Sequence, residues 1–185
     1  LKNPGSGIPL GVTKRVGLDD RHISAALGEM KGLDYDWIHY GGDEFAHTMY
    51  VYWWTKYHFL PKADGKDRLY TWEGLSKESR AKLREYLDTE IEAGWTRSDV
   101  LLMLGLYHDI AKRREKEDNR HHSVIGAEMF REEIAPEIGL SQNLTDHISL
   151  LLQSDVGRRG ITEEEFQTIA GDLYLLCKIF HMADR

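Results

Sequence analysis

The chain has 185 residues, of which 41% are hydrophobic and 30% are charged, and its formal net charge at pH 7 is −7. This length accommodates one domain with a sizeable core, and the negative charge argues against nucleic-acid binding through bulk electrostatics. No apolar run is long enough for a membrane-spanning helix. Neither a membrane nor a nucleic acid is therefore an expected partner.

The single cysteine, Cys177, lies in an apolar stretch and has no second cysteine to pair with. We therefore expect a buried thiol in a reducing, cytoplasmic compartment. The sequence begins at Leu1 without a recognisable secretory signal, from which we expect a trimmed start. The sequence leaves open whether the protein forms a homo-oligomer.

Three helices are predicted in the first half of the chain. Residues 1–40 predict an irregular lead-in with one short helix, because glycine and proline interrupt it repeatedly. Asp43 then predicts the N-cap of an aromatic-rich helix from about Glu44 to Phe59. A loop follows, and Ser76 predicts the cap of a charged helix that reaches Ala93, with Gly94 as its stop.

The second half reads as a series of capped helices. Ser98 or Asp99 is the predicted cap of a central apolar helix that ends near Lys112. Further helices are predicted over about 119–133, from Ser141 to about Ser154, and from a capping box of Thr162 and Glu165 to the chain's last residues. No alternating strand pattern or internal repeat is visible. The predicted fold is all-α, with about seven helices.

The central apolar run, Leu101 to Lys112, ends in the adjacent residues His108 and Asp109. An imidazole and a carboxylate at the end of a buried element cost free energy unless they are paired or bind a metal. A metal site needs nitrogen and oxygen donors from several elements. The sequence supplies such donors on several predicted helices: His47, His108, Asp109, His122, His147 and Asp184.

Some of these residues have competitors or simpler interpretations. His58 lies on nearly the same helical face as His47, and His121 precedes His122. His147 could instead be a core histidine with satisfied hydrogen bonds, and Asp184 could be a frayed surface residue.

Three neighbours of these candidates also need an interpretation. Asp43 and Glu44 are interpreted as helix-capping acids, with a third metal site or a general base as the alternative. His181, one turn before Asp184, is interpreted as a neighbour of the metal ligands and not as a ligand itself.

Four motifs carry a resemblance to the HD superfamily of metal-dependent phosphohydrolases. Leu106–Lys112 resembles the superfamily's His-Asp signature, and His122–Glu128 is similar to the motif that follows it. His47–Val51 is similar to its opening motif, and Ala183–Arg185 to its closing Ala-Asp-Arg. The resemblance implies an HD domain over 41–185, with an inserted loop and helix at about 61–96.

The resemblance also implies a site for two divalent transition-metal ions. The first ion would be held by His47, His108, Asp109 and Asp184. Asp109 would bridge to the second, which His122 and His147 would also hold. Imidazole and carboxylate donors favour Fe or Mn, with Co, Ni, Zn or Mg as alternatives.

The implied activity is hydrolysis of a nucleotide or of a small phosphorylated metabolite by a metal-activated water. Asp109 and Lys112 would be the catalytic residues, and Lys112 would contact a substrate phosphate. Arg158 and Arg159 could bind the same anion or form a solvated face.

Two other functions fit the same motifs. The ligand order also resembles mixed-valent di-iron oxygenases of the HD fold, which cleave C–C or C–P bonds. A non-catalytic nucleotide-sensing module is the remaining alternative. Nothing after His147 resembles the Gly-Tyr-Pro segment of cyclic-dinucleotide phosphodiesterases, which excludes that subfamily.

Overall fold

The computed structural model describes residues 44–60, 76–112, 114, 118–154 and 162–184. The helices in these ranges are α1 Glu44–Phe59, α2 Lys77–Asp88, α3 Arg97–Tyr107, α4 His122–Met129, α5 Ala135–Glu137, α6 Gln142–Leu152, α7 Glu163–Ala170 and α8 Tyr174–Ala183. A π-helical segment, Phe130–Ile134, joins α4 to α5, and a 3₁₀ turn, Gly171–Leu173, joins α7 to α8. The all-α prediction is confirmed.

Helix α3 is the central element of the fold. Its residues from Ser98 to Tyr107 are all buried, as expected of a helix that is apolar on every side. It packs against α1, α2, α6 and α8. The helix begins at a capping box in which Thr96 is the N-cap and Asp99 reciprocates, so the expectation that Ser98 or Asp99 is the N-cap was wrong.

Gly105 sets the close approach of α3 to α1. A Cβ atom at this position would lie 3.4 Å from the Tyr52 Cα atom and 3.7 Å from the Thr55 hydroxyl oxygen. The absence of a side chain therefore lets the two helix backbones pack closely. Because His47 lies on α1 and His108 directly follows α3, this approach fixes the spacing of two predicted metal ligands.

The region between α2 and α3 differs from the prediction. Helix α2 begins after Ser76 as expected, but it ends at Asp88 and not at Ala93. The strands β1, Glu90–Glu92, and β2, Trp95–Thr96, follow as a short antiparallel hairpin. Gly94 lies in the hairpin turn with a φ of +83°, a conformation that favours glycine. The expectation of no strand was therefore wrong at this point, because a two-residue strand is too short to show alternation.

Other helix ends were also misplaced. Helix α3 ends at Tyr107 and not near Lys112, because the chain tightens into turns in which the Ile110 N–H donates to the Tyr107 carbonyl at 3.3 Å. The predicted last helix is divided at Gly171, where φ is +52°. The Thr162–Glu165 capping box at the start of α7 is confirmed.

Several predictions lie outside the described residues. These are the lead-in over 1–40, Asp43, and the basic pair Arg158 and Arg159. Cys177 is buried, as expected. Within the described ranges, no helix combines the length and the apolar character that crossing a membrane requires.

Candidate metal centre

The first and last described helices meet at a histidine–aspartate pair. His47, one turn into α1, has its Nε2 atom 2.9 Å from Oδ1 of Asp184, the residue that caps the C-terminal end of α8. The same Nε2 atom lies 3.7 Å from Oδ2 of Asp109. The His47 side chain is only 7% exposed. Two carboxylates from different elements therefore converge on one buried imidazole.

His108 lies between these carboxylates. Its Nδ1–H donates to the Gly105 carbonyl at 3.2 Å, so Nε2 is the ring nitrogen that could bind a metal ion once its proton has been lost. Nε2 lies 3.2 Å from Asp109 Oδ2 and 3.3 Å from Asp184 Oδ1. The ring packs edge-on against Phe180 of α8, at a centroid distance of 5.1 Å. The imidazole is therefore fixed with Nε2 directed at both carboxylates.

Two buried atoms in this cluster lack hydrogen-bond partners. They are His108 Nε2 and Asp109 Oδ2. The Asp109 oxygen lies within ion-pair distance of His108 and of Lys112, but neither contact has hydrogen-bond geometry. An unsatisfied buried polar atom costs free energy, and a bound cation is one way in which such atoms are satisfied. The ligand atoms of His47, His108 and Asp184 all lie within 4.8 Å of one another. The donor set therefore fits a transition-metal ion.

The pKa values of the buried groups also show that this cluster favours positive charge. Burial alone lowers the pKa of His108, but the negative charges of Asp109 and Asp184 outweigh it and raise that pKa to about 10. Burial raises the pKa of Asp109, whereas the charges of His108, Lys112 and His122 bring it well below its usual range. The pKa of Asp184 is lowered in the same way, chiefly by His108. Asp109 and Asp184 thus remain charged, and they favour a cation beside them.

Asp109 presents its two oxygens to different neighbours. Oδ2 faces His47 and His108, and it also lies 3.0 Å from the Lys112 Nζ atom. Oδ1 lies 3.4 Å from Nε2 of His122, at the start of α4. The two oxygens of Asp109 therefore face different imidazoles, those of His47 and His108 on one side and that of His122 on the other.

His147 is the predicted ligand that these contacts do not include. It lies on α6, and its buried Nδ1 atom has no hydrogen-bond partner. Among the described residues, the compact three-donor group consists of His47, His108 and Asp184 and does not contain His147.

The competing histidines have other neighbours. The His58 ring packs against Trp54 at a centroid distance of 4.5 Å. His121 caps α4, and its Nδ1 atom accepts from the Ser123 backbone N–H. The Nε2 atom of His181 lies 3.1 Å from the Ser154 hydroxyl.

Three contacts in the centre were not predicted from the sequence. The Gly105 carbonyl fixes the His108 tautomer, Phe180 packs on its ring, and Lys112 pairs with Asp109. The spacing of three residues between Asp109 and Lys112 was the signal for the ion pair, because such residues lie on one face of a helical turn. The sequence carries no comparable signal for a backbone carbonyl.

Comparison with known proteins gives one family. The comparisons with curated proteins and with solved structures returned no match. The HD domain family matches residues 81–184, which is more than half of the chain. His47 precedes the matched range, but it contacts Asp184 inside it. The chain belongs to the HD domain family, whose members bind divalent metals and are generally metal-dependent hydrolases.

Proposed function

We propose that the protein is a metal-dependent phosphohydrolase that acts on a nucleotide or a small phosphorylated metabolite at a dinuclear site. The observation that carries this proposal is the convergence of His47, His108, Asp109 and Asp184, together with the lack of hydrogen-bond partners for His108 Nε2 and Asp109 Oδ2. The HD family assignment supports the same class of activity.

The donor positions suggest how two ions would be shared. The first would bind His47, His108, Asp184 and the Oδ2 atom of Asp109. The second would bind the Oδ1 atom of Asp109 and His122, and we assign His147 to it because its Nδ1 atom is buried and unpaired. Divalent ions at such positions lower the pKa of water and neutralise negative charge on phosphoryl oxygens.

The protein's own side chains would prepare the site in three ways. The hydrogen bond from His108 Nδ1–H to the Gly105 carbonyl holds one imidazole in the ligand tautomer before any ion arrives. The burial of Asp109 strengthens every electrostatic interaction around it, because water is excluded. The ammonium group of Lys112 supplies positive charge for an anionic substrate, and Arg158 and Arg159 would add to it.

The test combines elemental analysis with a substrate panel. Freshly purified protein should contain about two transition-metal ions per chain, and it should release phosphate from at least one nucleotide or phosphorylated metabolite. Asp109→Ala should lose both the metal and turnover. Asp146→Ala is a suitable control, because Asp146 is an exposed carboxylate that pairs with Arg131 on the surface. It should retain both properties.

Three outcomes would refute the proposal or change its class. Undiminished phosphate release by Asp109→Ala would show that the cluster is not the active site. Oxygen consumption without phosphate release, in an iron-loaded sample, would assign the chain to the oxygenases. Nucleotide binding without turnover in a fully metal-loaded sample would assign it to the sensing modules.

A further inference from the structure

Lys112 forms an ion pair with the oxygen that a metal ion would need. Its Nζ atom lies 3.0 Å from Asp109 Oδ2, within a site where the Asp109 side chain is only 3% exposed. The same oxygen lies 3.2 Å from His108 Nε2 and 3.7 Å from His47 Nε2. The ammonium group therefore lies on the same Asp109 oxygen that the first metal ion would bind.

An ammonium group and a divalent cation cannot share this oxygen at low cost. Both are positive, and the repulsion between like charges is strong where water is largely excluded. The lysine side chain is flexible and is itself 17% exposed, so its head group can move toward solvent without unfolding the turn that carries it. The carboxylate cannot follow it, because Asp109 is fixed in the core.

We propose that Lys112 competes with the metal for Asp109 Oδ2: it neutralises the carboxylate in the metal-free protein and gives up that oxygen when a cation binds. This inference rests on the metal site of the proposed function. The inference goes beyond the proposed function because it gives Lys112 a role before substrate arrives. Competition lowers metal affinity, and it makes the ammonium group available to an anion only after the site is loaded. Coupling of this kind is reciprocal, so an anion that holds Lys112 also strengthens metal binding.

The first experiment measures metal affinity and not activity. Metal-free wild-type protein, Lys112→Met and Lys112→Arg are titrated with Mn²⁺ against a chelating competitor. Lys112→Met removes both the competitor and the repulsion, so Mn²⁺ should bind about tenfold more tightly, since a charge within ~4–6 Å typically changes such an equilibrium by a factor of ten or more. Lys112→Arg keeps the charge and should bind Mn²⁺ with an affinity close to the wild type. Lys82→Met, which alters an exposed lysine paired with Glu78, is the matched control and should change nothing.

The second experiment uses the wild-type protein and is independent of how the variants fold. The lysines are labelled briefly with an amine-reactive reagent, with and without Mn²⁺, and each site is quantified by peptide mass spectrometry. Lys112 should react several-fold faster when Mn²⁺ is bound, because its amine has then left Asp109 and is more exposed to the reagent. Lys82 should react equally in both samples and serves as the internal reference.

The outcomes separate this inference from the proposed function. Equal or weaker Mn²⁺ binding by Lys112→Met, or unchanged labelling of Lys112 on Mn²⁺ binding, would overturn the competition while leaving the hydrolase proposal intact. Failure of the wild-type protein to bind Mn²⁺ or any other transition metal would overturn both. Metal binding with the expected changes at Lys112, but without phosphate release from any substrate, would support the competition and refute the hydrolase.

Discussion

Substitution of Gly105 tests whether the contact between α1 and α3 builds the metal centre. Valine at this position would direct its Cβ atom to 3.4 Å from the Tyr52 Cα atom and 3.6 Å from the Tyr52 backbone nitrogen. Those atoms belong to a helix backbone and cannot rotate away. The two further methyl groups of valine would then require the helices to separate.

The expected magnitude follows from these distances. For alanine, a contact of 3.4 Å is tolerable, and the gain in helix propensity of about 1 kcal/mol offsets the crowding. Gly105→Ala should therefore be near neutral in unfolding free energy. Gly105→Val should lose about 2–3 kcal/mol, the upper part of the usual cost of overpacking a core.

The same separation should weaken metal binding. His47 and His108 lie on either side of this contact, with their ring centroids 5.4 Å apart. Ligands that move apart by even part of an ångström bind an ion poorly, so Gly105→Val should bind Mn²⁺ at least about tenfold more weakly than Gly105→Ala.

Two measurements check this prediction. Urea unfolding in the presence of a chelator gives the stability of each variant without metal, and Mn²⁺ titration of the folded proteins gives the affinity. Gly105→Ala is the matched control, because it removes the glycine but adds only the tolerated atom. If Gly105→Val retained both wild-type stability and wild-type affinity, the helix contact would not determine the geometry of the centre.

Two further predictions concern pH and helix capping. In the metal-free protein, the pKa of His108 is about 10, above its unfolded value of 6.5. Its contribution to stability is therefore complete below pH 6.5 and is lost as the pH rises toward 10. Urea unfolding at several pH values should show this decline in stability, and His108→Ala should abolish it. The carboxylates of Asp109 and Asp184, whose pKa values are lowered, act in the opposite direction, with stability lost as the pH falls below their unfolded values. Thr96→Ala should lower the free energy of unfolding by about 1 kcal/mol because it removes the α3 N-cap, and this loss corresponds to a fall of roughly 2–4 °C in Tm. Thr96→Ser, which keeps the hydroxyl group, should retain most of the wild-type stability. An unchanged Tm in Thr96→Ala would mean that α3 does not depend on this cap.

The sequence predicted the helices better than their ends. The central position of α3 followed from its continuous apolar run, and the caps at Ser76 and Ser141 followed from hydroxyl side chains before charged or amphipathic segments. The hairpin after α2 was missed because its strands are too short for alternation to be visible. The capping role of Thr96 was missed because Thr96, Ser98 and Asp99 can each cap a helix, and the sequence does not show at which residue the helix begins.

The metal centre was predicted as a set of residues but not as a geometry. The resemblance to the HD superfamily implied His47, His108, Asp109 and Asp184 as ligands of one ion, whereas the distances among their donor atoms depend on how the helices pack. Sequence alone could not show that Lys112 pairs with the metal-facing oxygen of Asp109, because a side-chain rotamer depends on the surrounding packing. Nor could it place His147, since a helix predicted from its pattern has no assigned rotation relative to its neighbours.

The contact between His47 and Asp184 joins residues that are 137 positions apart in the chain. Closing so long a loop carries an entropic cost that a single hydrogen bond barely offsets, so this corner should assemble late in folding and open early. An ion that bound both side chains would act as a cross-link between α1 and α8. Amide hydrogen exchange at the ends of these two helices should then slow together on metal binding, although each helix lies in a different part of the sequence. A bound ion would thus hold the two ends of the described chain together.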